Sequence, residues 1–441
     1  MSEDDREPRL GDVPFTEALV VWVRVALLSF GGPAGQIAVM RRLLVDEKRW
    51  LSEERFLHAL NYCMLLPGPE AQQLATYGGW LLHRTRGGLI AGTLFVLPGF
   101  LSILVLSVLY VEWGASPVVA GLFFGLKPAV LAIVLQAFVR LSRAMLTSQA
   151  RRLIALSAFL ALFVFHVPFP WIVVVAALLG WWGGREAVEG LRSQDQNAAT
   201  SSKRPPLGRS FRVLALGLAV WWAPILALGA ILGTSSIYAR EAVFFSQTAM
   251  VTFGGAYAVL SYIAQRAVED FGWLAPGEML DGLGLAETTP GPLVQVVQFV
   301  GFLGAYRNPG ALDPIWAGVL GSIVVTWATF APCFLWIFLG APYVEWLRGR
   351  RGLADALAGV SSAVVGVLVH LALWFAHHTL FADVARWTVL EIEVPVLASI
   401  RPVAVVLALA CALCLFRLRW GVPATLLLGA LGGTFWQLLA A

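Results

Sequence analysis

Charge is scarce in this 441-residue sequence: 13% of its residues are Asp, Glu, Lys or Arg, about half the share usual in a soluble globular domain. With 59% hydrophobic residues, 18 Trp and 26 Phe, that shortage excludes one or two water-soluble domains of this length. Cysteine is scarce too. Cys63, Cys333, Cys411 and Cys414 lie in apolar surroundings, so no disulfide framework is expected. Cys411 and Cys414 have C-x-x-C spacing but no second ligand pair, and read as small packing residues. The net charge of +4 comes with Lys and Arg in short clusters between apolar runs, which excludes a basic stripe for nucleic acid. No nucleotide loop, zinc cluster or nucleophile elbow is present, so no ATP-driven or hydrolytic chemistry, metal or cofactor is expected. The first twelve residues, MSEDDREPRLGD, are charged and mostly acidic, unlike a secretory signal peptide.

What is abundant is apolar sequence in membrane-length runs, at roughly 13–40, 88–111, 117–139, 153–184, 211–233, 240–263, 314–343, 354–376 and 394–437. These indicate an all-α polytopic membrane protein. His166-Val167-Pro168-Phe169-Pro170 splits the fourth run into a hairpin, and Arg417, Arg419 and Pro423 interrupt the last. Residues 185–212 are polar and carry Arg185, Arg192, Lys203, Arg204, Arg209 and Arg212, the composition of a cytoplasmic linker. The expected organisation is an exposed tail at 1–12, a first membrane repeat at 13–184, that linker, and a second membrane repeat at 213–441.

The repeats are visible directly. An offset of 223 residues superposes Phe30-Gly31-Gly32 on Phe253-Gly254-Gly255, Trp50-Leu51 on Trp273-Leu274 and Pro67-Gly68-Pro69 on Pro290-Gly291-Pro292. Gln72 falls on Gln295, Gly78 on Gly301 and Arg84 on Arg307, without a gap. Further on, an offset of 234 pairs Pro98 with Pro332 and Gly125 with Gly359. Loop charge then orients the copies. Loop 41–55 holds Arg41, Arg42, Lys48, Arg49 and Arg55, whereas its counterpart 264–278 holds only Arg266. Loop 140–152 holds Arg140, Arg143, Arg151 and Arg152 against Arg386 alone in 374–386. The bias reverses at 112–117, which has no Lys or Arg, against Arg348, Arg350 and Arg351 in 345–353. Rich loops facing poor ones indicate two inverted-topology repeats.

Each Pro-Gly-Pro ends one helix and allows another to begin, giving broken, re-entrant-like helices at 53–84 and 276–307. Broken backbone at membrane depth belongs inside protein or beside a wet cavity, and a half-helix start with unpaired N–H groups suits an anion. The candidate substrate-binding residues are therefore Pro67, Gly68, Pro69, Gln72, Gln73 and Thr76 in the first copy and Pro290, Gly291, Pro292 and Gln295 in the second. Gln298 is a further amide able to donate there. The breaks at Gly31 and Gly32, with Gln36 after them, and at Gly254 and Gly255 offer a similar wall. A competing reading makes these Gly and Pro residues packing kinks whose glutamines bond freed backbone. Arg24 and Lys127 lie deep in apolar segments and suit an oxyanion, unless they snorkel to an interface. Glu70 and Glu287 flank the two breaks and are the candidate coupling acids, or else helix caps or partners of those cations. His370 reads as a hydrogen-bonded packing residue.

Phe30-Gly31-Gly32-Pro33 with Gly35-Gln36, and Leu66-Pro67-Gly68-Pro69-Glu70-Ala71 running into Gln72-Gln73-Leu74-Ala75-Thr76-Tyr77, resemble the N-terminal signature of the chromate ion transporter family. Phe253-Gly254-Gly255 with Thr289-Pro290-Gly291-Pro292 resembles its second-half signature, as in the long two-domain form. The resemblance spans nearly the whole chain. It implies antiparallel repeats and a bacterial inner-membrane carrier that exports chromate, driven by the membrane potential or proton gradient, and confers chromate resistance. The second copy departs from the pattern, with Ala256 in place of Pro33 and Leu293 in place of Glu70, so the more polar chemistry is expected in the first. The implied partners are chromate or a related oxyanion and the lipid bilayer, with a homodimer open. A carrier of sulfate or another oxyanion, and a passive anion channel, use the same donors. A membrane enzyme acting on a lipid-linked substrate would want an acidic metal cluster or a nucleophile–base pair, and neither is found.

Overall fold

Away from water, a chain this apolar can satisfy its backbone N–H and C=O groups only within helices or closed barrels. The computed structural model, which describes residues 13–30, 32–114, 116–186, 207–253, 256–275, 277–343, 351–387 and 392–440, is almost entirely helical. The expected tail at 1–12 and residues 187–206 of the expected linker lie outside the described residues.

In the first half, α1 (Phe15–Leu28), α2 (Gly32–Arg41) and α3 (Glu53–Met64) precede α4 (Glu70–Trp113). The last is two limbs meeting at a sharp turn, where His83 and Arg84 leave helical geometry (Arg84 φ 53°). Then come α5 (Pro117–Met145), α6 (Gln149–Phe163) and α7 (Phe169–Glu186). The second half comprises α8 (Leu207–Leu232), α9 (Ile237–Val251), α10 (Ala256–Gln265), α11 (Glu278–Thr288), α12 (Val296–Arg307), α13 (Pro314–Gly340), α14 (Arg351–Leu380), α15 (Pro402–Phe416) and α16 (Val422–Ala440). Local chemistry sets several starts. The Ser116 hydroxyl accepts from the Val119 N–H ahead of Pro117, and Asp313 accepts from the Ile315 N–H ahead of Pro314, pairing a capping side chain with proline at the first helical position.

Among the described residues, six helical segments are long and apolar enough to cross a membrane: Glu70–Trp113, Pro117–Met145, Gly208–Leu232, Pro314–Tyr343, Asp355–Leu380 and Val422–Ala440. The hairpin expected around His166 separates α6 from α7. The run read as starting at 394 is different: Val384–Trp387 pairs antiparallel with Ile392–Pro395 as a two-stranded ribbon, and helix begins only at Pro402. The β-branched residues of that stretch favour a ribbon, a signal submerged in the apolar run that follows.

The duplication reappears in the backbone. Both copies carry a π-helical turn at the same offset, Arg42–Glu47 and Arg266–Asp270. In both the tryptophan that follows returns to the turn, Trp50 N–H to the Leu44 carbonyl at 2.9 Å and Trp273 N–H to the Ala267 carbonyl at 2.8 Å.

The chain forms two compact units, each drawn from both halves of the sequence. One comprises residues 1–104, 199–255 and 289–349. Its core surrounds Trp22, Met40, Leu43, Phe56 and Leu74, and α13 packs on α12, α9 and α8. The other comprises 105–198, 256–288 and 350–441. There α14 packs on α7, α6 and α5, and α5 packs on α16 so closely that a Cβ at Gly125 would strike the Gly429 carbonyl. Small residues allow this backbone approach, the usual contact between helices in lipid.

Candidate functional site

The first unit contains both Pro-Gly-Pro breaks. Helix α3 ends at Met64 and α4 starts at Glu70, while α11 ends at Thr288 and a 3₁₀ turn (Leu293–Gln295) leads into α12. Each short limb spans roughly 16–20 Å, too little for a hydrocarbon core of about 30 Å. The breaks favour glycine: Gly68 has φ +120° and Gly291 φ +111°, conformations that residues with a side chain rarely adopt.

The copies exchange these glycines' hydrogen bonds. Gly68 N–H in the first copy donates to the Thr252 carbonyl in the second (2.7 Å), and Gly291 N–H in the second donates to the Ser29 carbonyl in the first (2.9 Å). Ser29 and Thr252 are themselves equivalent. Each precedes a Phe-Gly-Gly, and each hydroxyl donates to the carbonyl four residues back, Val25 at 2.6 Å and Thr248 at 2.8 Å. A second reciprocal approach accompanies the first. A Cβ on Gly68 would lie 2.7 Å from Cys333 Sγ, and one on Gly99 would lie 2.7 Å from the Pro290 carbonyl. Gly99 and Cys333 follow the matched Pro98 and Pro332. The amides of Gly68 and Gly291 are therefore occupied, and donors for a ligand must come from the first turns beyond them. In α4 the first backbone bond back along the helix is Gln73 N–H to the Pro69 carbonyl (3.1 Å), which leaves the N–H groups of residues 70–72 without a helical acceptor.

Buried amides surround these elbows. Gln36 Nε2 donates to the Gly291 carbonyl at 2.6 Å, across the copies, and Gln73 Nε2 donates to the Pro67 carbonyl at 2.7 Å. Gln72 Nε2 donates to Thr76 Oγ1 at 3.1 Å, while that hydroxyl donates to the Gln72 carbonyl at 2.9 Å. Gln295 Nε2 donates to both Gln298 Oε1 and Thr326 Oγ1, and Gln298 Nε2 donates to the Phe100 carbonyl. These acceptors fix which end of each amide is nitrogen. They leave Oε1 of Gln36, Gln72, Gln73 and Gln295 buried with no partner among the described residues, at about 1–3 kcal/mol each if nothing binds there. Gln36 and Gln72 also each keep a second N–H, while Gln73 also donates to the Cys333 sulfur. Uncharged donors beside orphaned acceptors suit a hydrated or hydrogen-bearing oxyanion. Thr326, Phe100 and Phe334, the last against Gly92 beside Thr76, all line one apolar cavity of about 360 Å³, so both copies' networks border the same space.

Other expected site residues lie elsewhere. Gly31, Gly254 and Gly255 lie outside the described residues, and Gly32 opens α2. Arg24 does not join the amides: its side chain is 47% exposed and sits 3.4 Å from Glu47, because its face of α1 turns away from the unit's core. Glu70 is the half-buried first residue of α4, and Glu287 is buried near the end of α11.

A family model, Chromate transporter, matches residues 16–181 and 240–434. The chain belongs to the chromate transporter family. It is 31% identical over 353 residues to a chromate transport protein of Pseudomonas aeruginosa, covering 79% of this chain and 77% of that one. It is 27% identical over 353 residues to a chromate transport protein of Cupriavidus metallidurans, with 80% of each covered. A probable chromate transport protein of Synechococcus elongatus is 28% identical over 367 residues, with 79% and 81% covered. No solved structure matches. Family membership and the six candidate spans make it a multi-pass protein of the bacterial membrane.

The second unit of this chromate transporter family member holds Lys127, paired with a residue that the site reading passed over: Asp281, 3.3 Å away. An acid within the apolar stretch Met279–Ala286 was a legible signal, since intramembrane carboxylates are functional by default. His370, expected to be a packing residue, is 3.3 Å from Ser261 and lines a cavity of about 100 Å³ with His166, His377, Glu269 and Glu393.

Proposed function

We propose that this protein is a secondary carrier that exports chromate from the cytoplasm across the bacterial inner membrane and so confers chromate resistance. The observation that carries the proposal is the reciprocal crossing of the two broken helices, Gly68 to Thr252 and Gly291 to Ser29, which surrounds the elbows with buried amides and, among the described residues, no buried cation. Amide and helix-start N–H groups can bind a tetrahedral dianion and release it again, where a fixed buried cation would hold it. In this reading Gln36, Gln72, Gln73, Thr76 and Gln295 bind or shape the site, Pro67, Gly68, Pro69, Pro290, Gly291 and Pro292 aim the half-helices, and Glu70 and Glu287, which flank the two breaks in sequence, are the acids that couple protons. The copies act as antiparallel repeats rocking around the site, a reading supported by the reversed loop charges. A dianion leaving a negative interior gains about 2.3 kcal/mol per charge for each ~100 mV, enough to drive export without a nucleotide.

The test is chromate uptake into everted vesicles, with and without excess sulfate. Saturable uptake that rises with a lumen-positive potential is expected, and sulfate should compete because shape and charge are what such donors read. Uptake that never saturates would indicate a passive channel, and no protein-dependent flux would remove chromate as the substrate.

A further inference from the structure

The second unit contains a buried polar cluster that the duplication does not require. Lys127 Nζ lies 3.3 Å from Asp281 Oδ2, with side chains 24% and 4% exposed. The Tyr110 hydroxyl donates to Asp281 Oδ2 at 3.1 Å and approaches Glu278 Oε1 at 3.3 Å. Glu278 Oε2 in turn accepts the Ala275 N–H at 2.7 Å. Asp281 Oδ1 is buried and has no partner among the described residues. At Gly277 (φ +92°) the chain passes so near Lys127 that a Cβ would stand 3.4 Å from the ammonium. Helix α16, which packs on both α5 and α11, carries no ionisable side chain. Among the described residues, Lys127, Tyr110 and Glu278 are the charged or titratable groups that act on Asp281. At the equivalent positions of the other copies stand Ser361 and His58, so the duplication does not repeat the pair.

We infer that Lys127 is an oxyanion-binding station gated by a proton on Asp281: proton uptake at the orphaned Oδ1 breaks the ion pair and frees the ammonium for the anion. The inference rests on reading the chain as an oxyanion carrier. With both carboxylates ionised, the cluster holds one cation against two anions and repels a dianion. A proton on Asp281 cancels one negative charge and leaves the Lys127 ammonium, its own protons unchanged, without a competing partner. Anion and proton then favour each other's binding, and by linkage each strengthens the other equally. Asp281 is a coupling residue the sequence reading did not name, and Lys127 contributes its charge only in the protonated state.

The experiment is equilibrium binding of radiolabelled chromate to the purified full-length protein across about pH 5.5 to about pH 8.5. Wild-type affinity should fall as pH rises, approaching about tenfold per unit above the midpoint, as one linked proton requires. Asp281→Asn keeps volume and an acceptor for Lys127 and Tyr110, and should bind tightly with that slope removed. Lys127→Gln should bind weakly at every pH. Tyr110→Phe removes a donor to the carboxylate and should move the midpoint to higher pH, which serves as the test if Asp281→Asn does not fold. All variants meet the same chromate speciation, so differences between profiles belong to the protein. A wild-type slope in Asp281→Asn, or an unmoved midpoint in Tyr110→Phe, overturns the station. Absence of saturable chromate binding by wild type at any pH overturns the carrier reading instead.

Discussion

Replacing Gln72 by Glu should reduce saturable chromate uptake by about 100-fold or more while the protein remains folded. Gln72 is fully buried in the first turn of α4, where its spare N–H and the backbone N–H groups of residues 71 and 72 form the proposed anion site. A carboxylate in that turn complements the helix dipole, so the helix itself is not opposed. For a dianion the same carboxylate is a competitor. Two unit charges about 4 Å apart repel by about 4 kcal/mol at an effective dielectric of about 20. Gln72→Leu, which removes the donor without adding charge, should cost about 1.5–3 kcal/mol of binding, the worth of a hydrogen bond to a charged group, or roughly 10- to 150-fold in affinity. Vesicle uptake at matched expression checks both, with thermal stability of the purified variants as the control. Equal effects of Leu and Glu would mean that packing, and no anion, is what Gln72 serves.

Gly68→Ala and Gly291→Ala should each abolish most transport, and Gly68→Ala should be the harsher. Both glycines hold φ values that a side chain opposes by about 1–3 kcal/mol. At Gly68 the added carbon also meets Cys333 Sγ at 2.7 Å and Gln73 Nε2 at 2.9 Å; at Gly291 it meets the Gly99 backbone at 3.1 Å. Either change pulls the amide away from the other copy's carbonyl and displaces the buried glutamines with it. Gly272→Ala is the control: its φ of +61° is left-handed too, yet nothing lies within 4 Å. Strain alone should therefore cost stability there without touching uptake. Wild-type uptake in Gly68→Ala would show that the reciprocal bonds do not organise the site.

Much of this was legible in the residues. The matched Pro-Gly-Pro elbows, the Ser/Thr-Phe-Gly-Gly steps and the 223-residue offset all follow from the chain's own repetition, and glycine between prolines announces a break wherever it occurs. What repetition does not show is which copy each elbow bonds to. Ser29 and Thr252 are ordinary hydroxyl residues until a carbonyl is seen accepting from the opposite copy. Arg24 illustrates a different limit. A helical register fixes its face but not whether that face looks toward the broken helices or toward Glu47. Lys127 was singled out by its cost in an apolar segment, yet its meaning changed once Asp281, 154 residues later in the sequence, was found beside it. The paired strands Val384–Trp387 and Ile392–Pro395 were hidden because periodicity cannot separate a short strand from the end of a long apolar run.

The most direct test of the central claim is a structure of the transporter with a heavy tetrahedral oxyanion, tungstate or selenate, located by its anomalous scattering. The account predicts a site in the first unit at which the anion lies about 2.7–3.2 Å from amide nitrogens of the α4 first turn and of Gln36 or Gln72, lost in Gln72→Glu. An anion bound only at the exposed Arg24 face, with the two elbows closed and dry around their glutamines, would contradict it.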